Sequence, residues 1–550
     1  MSVFSRKFLN IILCILLTAA LTACQESGVF VNNDENGNSY TLSKDLTFPS
    51  AVLRSINPCS SMDRDFYQVS RLVYEGLVKL DDTLVPQPCL ASDWTIDTGS
   101  LTATFNLKGG IKFSDGSEFN SSDVVFSFNA CKAAGQSPYK TSMDRLVSAE
   151  ASGSDKVVFK FKSATGISPS DFVFPIVSSA DYASVSSMLS TDDTAAVGTG
   201  PYMISSADLK EKLVLSPNTS YREKAPDNTI TISISPVESP YTGFVESGKL
   251  SMIVETSTDR EEVSGNDKLK VTDFTSNEFE ALGFNCSSGP CASSALRKAI
   301  GFMVDRDSIK GAAYYNSGTK SDDLYYPGYY GTEISNTYTP DREAAAENLT
   351  AAGYRDTDAD GVLEDSNGNE LSLKLVIDQD NVSRKTAADM LVSSLLEYGI
   401  KLEVTEVAAE SFTSVLNSGS YDMFIGGWKV SEGYDLRCFY HSAYSNPAHY
   451  SNKVLDGYLD RLQSGISGDE MLDNVNRVKE ILQEDLPYLC LLYKTYAAVT
   501  SSDLDGLVAP RFNDYYYACN DWAIRIYSED EEEDEYTTDI TGVSADGTSQ

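Results

Sequence analysis

From Ser294 to Pro487 helical and strand-like segments alternate, and that alternation restricts the fold more than any other feature of the chain. Ser294–Val304 reads as a helix. Asp341–Ala352 reads as a second, with Ala344, Ala345, Leu349 and Ala352 on one side. A third covers Lys385–Tyr398 and stops at Gly399, a residue type that accepts the left-handed turn closing a helix. Asp473–Leu486 is the last, ended by Pro487, which disfavours helical geometry in the residue before it. Between them, Leu371–Ile377, Ile400–Val404 and Tyr421–Ile425 read as strands. Helices alternating with strands predict an α/β layer structure.

The first half has a different texture. Leu101–Leu107 alternates apolar and polar residues as a half-buried strand does, Gly109-Gly110 breaks it, and Phe113–Gly116 carries turn residues. Ser121-Ser122-Asp123 before Val124-Val125-Phe126 reads as a helix cap. Residues 195–275 are turn-punctuated strand, and no internal repeat is visible. The 550 residues far exceed one core, so two or three lobes are expected, and 41% apolar with 10% aromatic content is that of a globular chain.

The N-terminus reads as a processing signal. Arg6 and Lys7 precede the apolar run Phe8–Leu21, and small residues then lead to Cys24. A cysteine at that place resembles the bacterial lipobox, in which Cys24 carries lipid and becomes the mature N-terminus. The expectation is a signal peptide over 1–23, a polar tether over 24–42, and an extracytoplasmic protein held on the outer face of the cytoplasmic membrane by acyl chains. No later segment approaches the ~20 apolar residues that spanning requires. At the other end, Glu529 to Glu535 are seven consecutive acids, so 528–550 reads as a disordered acidic tail. The net charge of −37 argues against nucleic acid and against electrostatic binding to anionic lipid. Of ten cysteines, eight remain once Cys14 and Cys24 are set aside. An even number in an exported chain favours disulfides, with Cys286 and Cys291 near enough in sequence to close on each other, over a zinc site.

Enzyme chemistry finds little support. There are two histidines, His441 and His449, and neither a nucleophile elbow nor a phosphate-binding glycine loop accompanies them. Asp356, Asp358 and Asp360 followed by Gly361 have calcium-loop spacing, but the twelfth position is Asn367 where an EF-hand needs a bidentate Glu. A strand follows, not a second helix. The stretch reads first as a hairpin turn and second as a weak calcium site. No cofactor is expected.

Six blocks, in order, resemble the peptide/nickel family (family 5) of extracellular solute-binding proteins that serve ABC transporters. They are Ile56–Pro58 with Leu72–Leu77 and Pro86–Trp94; Leu101–Phe126; Gly198–Tyr202; Leu296–Ile300 with Asp305-Arg306; Tyr338–Tyr354; and Tyr421–Trp428. The resemblance implies a bilobal periplasmic-binding-protein-like α/β fold with an added domain and two mixed lobes joined by a hinge. The first lobe would take roughly 43–75, 198–278 and 500–527, the added domain 76–197, and the second lobe 279–499. It also implies a non-enzymatic monomer that captures a small solute, an oligopeptide first, between its lobes and hands it to membrane permease subunits. A nickel chelate or an oligosaccharide is the alternative within the class. A calcium-stabilised surface protein, or a hydrolase with paired carboxylates, is the alternative outside it.

The ligand residues implied are Met62, Asp63 and Arg64 on the first lobe, Tyr139 on the added domain, and Gly427, Trp428, Ser431 and Glu432 on the second. Oligopeptide-binding relatives carry Trp-x-x-Asp, whose Asp holds the peptide's ammonium. Here Trp428 is followed by Ser431 at the Asp position, with Glu432 next and Asp435 beyond. A second aromatic of those relatives is Ala409 here. Ser431 cannot make the ion pair, which leaves Glu432 as the candidate replacement.

Overall fold

The computed structural model describes residues 31–191, 195–235 and 241–527, so the expected signal peptide, Cys24 and the acidic tail lie outside the described residues. The chain divides into two compact units. In the smaller, Ser39–Ser43 pairs antiparallel with Ala523–Tyr527, Tyr40 opposite Tyr527, and Asn32–Asn33 pairs with Ser39 and Tyr40. Part of the stretch expected as a tether is therefore strand.

The larger unit, Lys44–Trp522, contains three main sheets. The first has four strands in the order Tyr202–Asp208, Lys212–Pro217, Thr229–Ile234, Asp45–Ser50, the last pair parallel. Period-two alternation turns Leu213, Leu215, Ile230, Ile232, Leu46 and Phe48 inward. Helix Arg64–Val73 follows the first of these strands in sequence, and Gly198 and Gly200 press against its C-terminal end. A Cβ on Gly198 would lie 2.1 Å from the Val73 carbonyl oxygen, and one on Gly200 2.5 Å from that of Leu72. Close backbone approach is why this block needs glycine.

The second sheet is a four-stranded antiparallel meander of Ala91–Asp97, Thr102–Leu107, Lys156–Phe161 and Leu146–Ala151. Helix Ser121–Ala133 packs over it, Phe128 meeting Phe159 edge-on at 5.6 Å. Its cap is Asn120, one residue before the serines, whose side chain accepts the Ser122 N–H while Asp123 accepts the Asn120 N–H in return.

The third sheet has six strands, in the order Met252–Glu255, Tyr488–Ser501, Leu269–Phe284, Met423–Lys429, Ser372–Asp378, Lys401–Val407. Helices Ser294–Met303, Arg342–Ala352 and Val382–Leu396 bury their apolar sides against one face, where Leu282, Met423 and Ile425 point. Phe279, Phe424 and a group of tyrosines form a separate core on the other face. Asp341 caps Arg342–Ala352, and Gly353 closes it at φ 90°. The last long helix starts at Gly468, five residues before the sequence signal at Asp473. The antiparallel strands Leu269–Phe284 and Tyr488–Ser501 run side by side from Leu269↔Ser501 to Gly283↔Tyr488. At one end their sheet neighbour is Met252–Glu255, at the other Met423–Lys429. Register shifts between Thr275 and Phe279 and between Glu280 and Ala281 mark where this ribbon passes from one region to the next.

All eight described cysteines are thiols, contrary to the expected disulfides. Cys59, Cys89, Cys131, Cys291, Cys490 and Cys519 are buried, with Cys89 donating to Glu75 and Cys519 to the Tyr202 hydroxyl. Cys286 turns its sulfur to the Phe284 carbonyl, not to Cys291.

Candidate ligand-binding site

A cavity of about 320 Å³ lies where all three sheet regions of the larger unit meet. Met62, Arg64 and Tyr67 come from the loop and helix after the first strand. Tyr139, Arg145 and Asp171 come from the second sheet's surroundings, and Asn277, Lys429, Ser431 and Glu432 from the third sheet and the loop beyond it. A larger cavity, about 720 Å³, shares Arg64 and Tyr515 with it but is walled by residues 49–65, 241–263 and 515–516, without the second sheet's surroundings or the loop after Lys429. The smaller one is taken as the site because residues implied by the sequence converge there from separate regions.

Glu432 is not a free carboxylate. Arg71 Nη2 donates to Glu432 Oε1 at 2.5 Å and Oε2 at 2.7 Å, and the Tyr67 hydroxyl donates to Oε1 at 2.9 Å. Tyr67 and Arg71 stand four apart on helix Arg64–Val73, so one helix face presents both, with the guanidinium 4.9 Å from the Tyr67 ring centre. Tyr139 extends this stack, its ring 6.0 Å from that of Tyr67. Burial pushes the Tyr67 and Tyr139 hydroxyls well above the ordinary phenol range, which keeps both neutral. A second ion-pair network closes the other side. Arg145 reaches Asp435 at 2.9 Å and Asp171 at 3.3 Å, and Arg437 holds Asp435 at 2.7 Å while donating to the Thr165 carbonyl. Burial raises Asp435, but the Arg437 hydrogen bond and charge, with Arg145, outweigh it and hold the carboxyl below 3.8.

Three of the implied residues stand back from the cavity. Asp63 sits at the start of the helix and accepts the backbone N–H groups of Arg54 and Ser55 at 2.6 and 3.2 Å, fixing the loop that presents Met62 and Arg64. Trp428 folds over Gly426 and, half-buried, packs against the core residues Phe439 at 5.2 Å, Phe279 at 5.7 Å and Phe424 at 6.1 Å. A Cβ on Gly427 would meet Glu280 and Arg384 at 2.5 Å, so that position faces a buried ion pair. Met62, Arg64, Tyr139, Ser431 and Glu432 line the cavity. Tyr67, Arg71, Arg145 and Asp171 were not legible as site residues. Tyr67 and Arg71 share a helix face, but their partner is 361 residues away for Arg71 and 365 for Tyr67.

The two histidines are apart and each is occupied locally. His441 Nδ1 accepts the Ala443 N–H at 3.0 Å, and His449 Nε2 bonds the Leu416 carbonyl at 2.8 Å. The aspartate loop is a turn closed by the Arg355↔Glu364 bridge. Glu364, unnoticed in the sequence, brings a fourth carboxylate to Asp356, Asp358 and Asp360, with one oxygen of each within 4.8 Å of the others. These groups serve the turn itself: Asp356 accepts the Ala359 and Gly361 N–H groups, Asp360 that of Val362, and Glu364 that of Thr357.

Comparison with known proteins gives a consistent assignment. A family model described as bacterial extracellular solute-binding proteins, family 5, middle region, matches residues 85–450. The chain is 23% identical over 474 residues to the oligopeptide-binding protein AppA of Bacillus subtilis (strain 168), covering 82% of this chain and 86% of that one. It is 24% identical over 545 residues to heme-binding protein A of Haemophilus influenzae, covering 91% and 96%. Among solved structures, a nickel ABC transporter protein from Bacillus halodurans superposes with a TM-score of 0.74 at 18% identity, over 88% of this chain and 100% of that one. Likeness at that level identifies the fold as the bilobal, periplasmic-binding-protein-like α/β type.

Proposed function

We propose, from the premise that this chain belongs to the family 5 bacterial extracellular solute-binding proteins, that it captures an oligopeptide or similar small solute in the cavity around Arg64, Tyr139 and Ser431 and delivers it to the permease of an ABC importer. The observation that carries this reading is the convergence of Arg64, Tyr139 and Glu432 on one cavity, each from a different region of the chain. Clefts between lobes are the usual place for small ligands. The paired strands Leu269–Phe284 and Tyr488–Ser501 would act as the hinge, and a ligand touching both sides would favour the closed arrangement. The second lobe would run over roughly 279–499, its first boundary beside the register shift at Phe279, which lies opposite Tyr493.

In this reading Met62, Arg64, Tyr139, Ser431 and Glu432 contact the ligand. Asp63, Gly427 and Trp428 support the walls. Main-chain hydrogen bonding of an extended ligand gives affinity with broad side-chain tolerance. The reading includes no catalytic step. It includes export, a lipid on Cys24 that keeps the monomer beside its permease, and a solvating role for the acidic tail.

Native mass spectrometry of the mature protein purified gently from its host tests the proposal. Bound masses fitting short peptides support it. A single non-peptide mass would move the chain to another branch of the family. Absence of bound mass, with no stabilisation by peptides, sugars or metal chelates, would refute solute capture.

A further inference from the structure

Charge accounting within the cavity leaves one group unmatched. Of its two carboxylates, Glu432 is held by Arg71 and Tyr67, and Asp171 by Arg145. Of its three cations, Arg145 is shared between Asp171 and Asp435, and Lys429 pairs with Glu278 at 3.2 Å. Arg64 has no carboxylate partner among the described residues. Its Nη2 donates to the Tyr515 hydroxyl at 2.8 Å, and its guanidinium lies 5.7 and 5.8 Å from the Tyr496 and Tyr515 ring centres. Nε and Nη1 donate to no described residue. The aromatic contacts hold the guanidinium in place without using up these donors, and Arg64 and Tyr515 line both cavities.

The tyrosine contacts stabilise this placement but use only part of the guanidinium's hydrogen-bonding capacity. Arg64 opens a ten-residue helix, at the end where the backbone dipole favours an anion and disfavours a cation. Asp65 beside it and the acids of the larger cavity act on Arg64 only through space, so an arginine kept there without an ion-pair partner among the described residues, its spare donors on the smaller cavity, is arranged to receive a carboxylate from outside.

We infer that the ligand presents a carboxylate to Arg64, and that this pair, not an ammonium on Glu432, is the principal polar anchor. The inference rests on the solute-capture reading above and narrows it to carboxylate-bearing ligands. Glu432 supports the inference from the other direction, because Arg71 already occupies the position that an ammonium would take. The carboxylate has two possible sources in a peptide, its C-terminus or an Asp or Glu side chain.

Four degenerate tripeptide libraries separate these outcomes by their effect on the melting temperature of the mature protein and, for hits, by Kd. The first has free C-termini and no acidic side chains, the second is its C-terminal amide, and the third is an amide containing Asp or Glu. The fourth is the first with acetylated N-termini. Stabilisation by the first assigns the C-terminal carboxylate, and by the third the side chain. The expected loss for the second library is about 10- to 100-fold in Kd, the range for removing a charge-assisted contact. Acetylation is expected to change Kd less than threefold. Arg64→Gln should make acids and amides equivalent. Arg64→Lys, which keeps the charge but not the planar fork, should retain part of the preference and controls for loss of fold.

Equal binding of acids and amides by the wild type overturns the inference and leaves solute capture standing. Loss of binding on acetylation overturns it in the same way. Failure of all four libraries, beside a bound non-peptide without a carboxylate in native mass spectrometry, overturns the peptide assignment and this inference with it.

Discussion

Replacing Glu432 by Gln keeps the side chain's shape and removes its charge, leaving Arg71 without its ion-pair partner. The magnitude follows from burial and geometry. The Glu432 side chain is 13% exposed and that of Arg71 21%, so neither behaves as a solvated surface group. Exposed pairs contribute ~0–1 kcal/mol, whereas removing one member of a buried pair costs about 3–5 kcal/mol. Arg71 depends on this partner more than most, because its buried Nε has no acceptor. Gln still offers one carbonyl oxygen, so the expected loss is about 2–3 kcal/mol, between those limits. A double-mutant cycle of Glu432→Gln, Arg71→Met and both together, read by urea unfolding at pH 7, should give a coupling of about 2 kcal/mol, equivalent to roughly 30-fold. Additive single effects, with coupling below ~0.5 kcal/mol, would refute the reasoning: the pair would then be solvated, and the carboxylate would be free to meet a ligand ammonium.

Four further outcomes are expected. The depressed Asp435 carboxyl contributes stability that is complete above its unfolded value of 3.8 and disappears as pH falls through the lower folded value. Acid titration of unfolding should therefore be steeper below about pH 5 for the wild type than for Asp435→Asn; identical slopes would contradict the Arg437–Asp435–Arg145 network. Gly198→Ala places a Cβ against a backbone carbonyl at 2.1 Å and should cost about 3 kcal/mol, the upper end of overpacking, in calorimetry. Gly109→Ala, with open space around the new carbon, should change stability by less than about 0.5 kcal/mol. Of the described cysteines, Cys438 is the exposed one, and its thiol is pushed up to about 11 by burial of the sulfur and then by Asp435. It should label first with a thiol reagent in the native protein, at a rate that keeps rising toward pH 11. Fast labelling at pH 7 would show an unperturbed thiol.

Local chemistry wrote much of this fold into the sequence. Asp341 and Gly353 bound the helix Arg342–Ala352 at a cap and a left-handed closure that involve only neighbouring backbone. The strand at Thr102–Leu107 was legible because alternation along one segment reports which face is buried, wherever the cover comes from. The boundaries that moved did so where local signals compete: the last long helix extends back to Gly468 because packing rewards Met471, a contact no neighbour announces. Ordered blocks of residues also pointed to the family, because each is a short contiguous segment of strand, helix or turn that can be read without knowing its distant partners.

Pairing across long separations was decided only in three dimensions. The order of the six-stranded sheet bears no simple relation to chain order, because strand neighbours are chosen by the cores on both faces. The strand expected over Tyr421–Ile425 runs on through Trp428 to Lys429 in the structure, and whether that ring lies toward the core was not legible from the sequence. That depended on Gly426 leaving room for the ring to fold back toward Phe279 and Phe439. Glu432 and Arg64 looked alike as candidate ligand contacts. Tertiary structure separated them by bringing an ion-pair partner, Arg71, to the one and, among the described residues, tyrosine contacts but no ion pair to the other, because charge compensation depends on what the fold brings within a few ångströms.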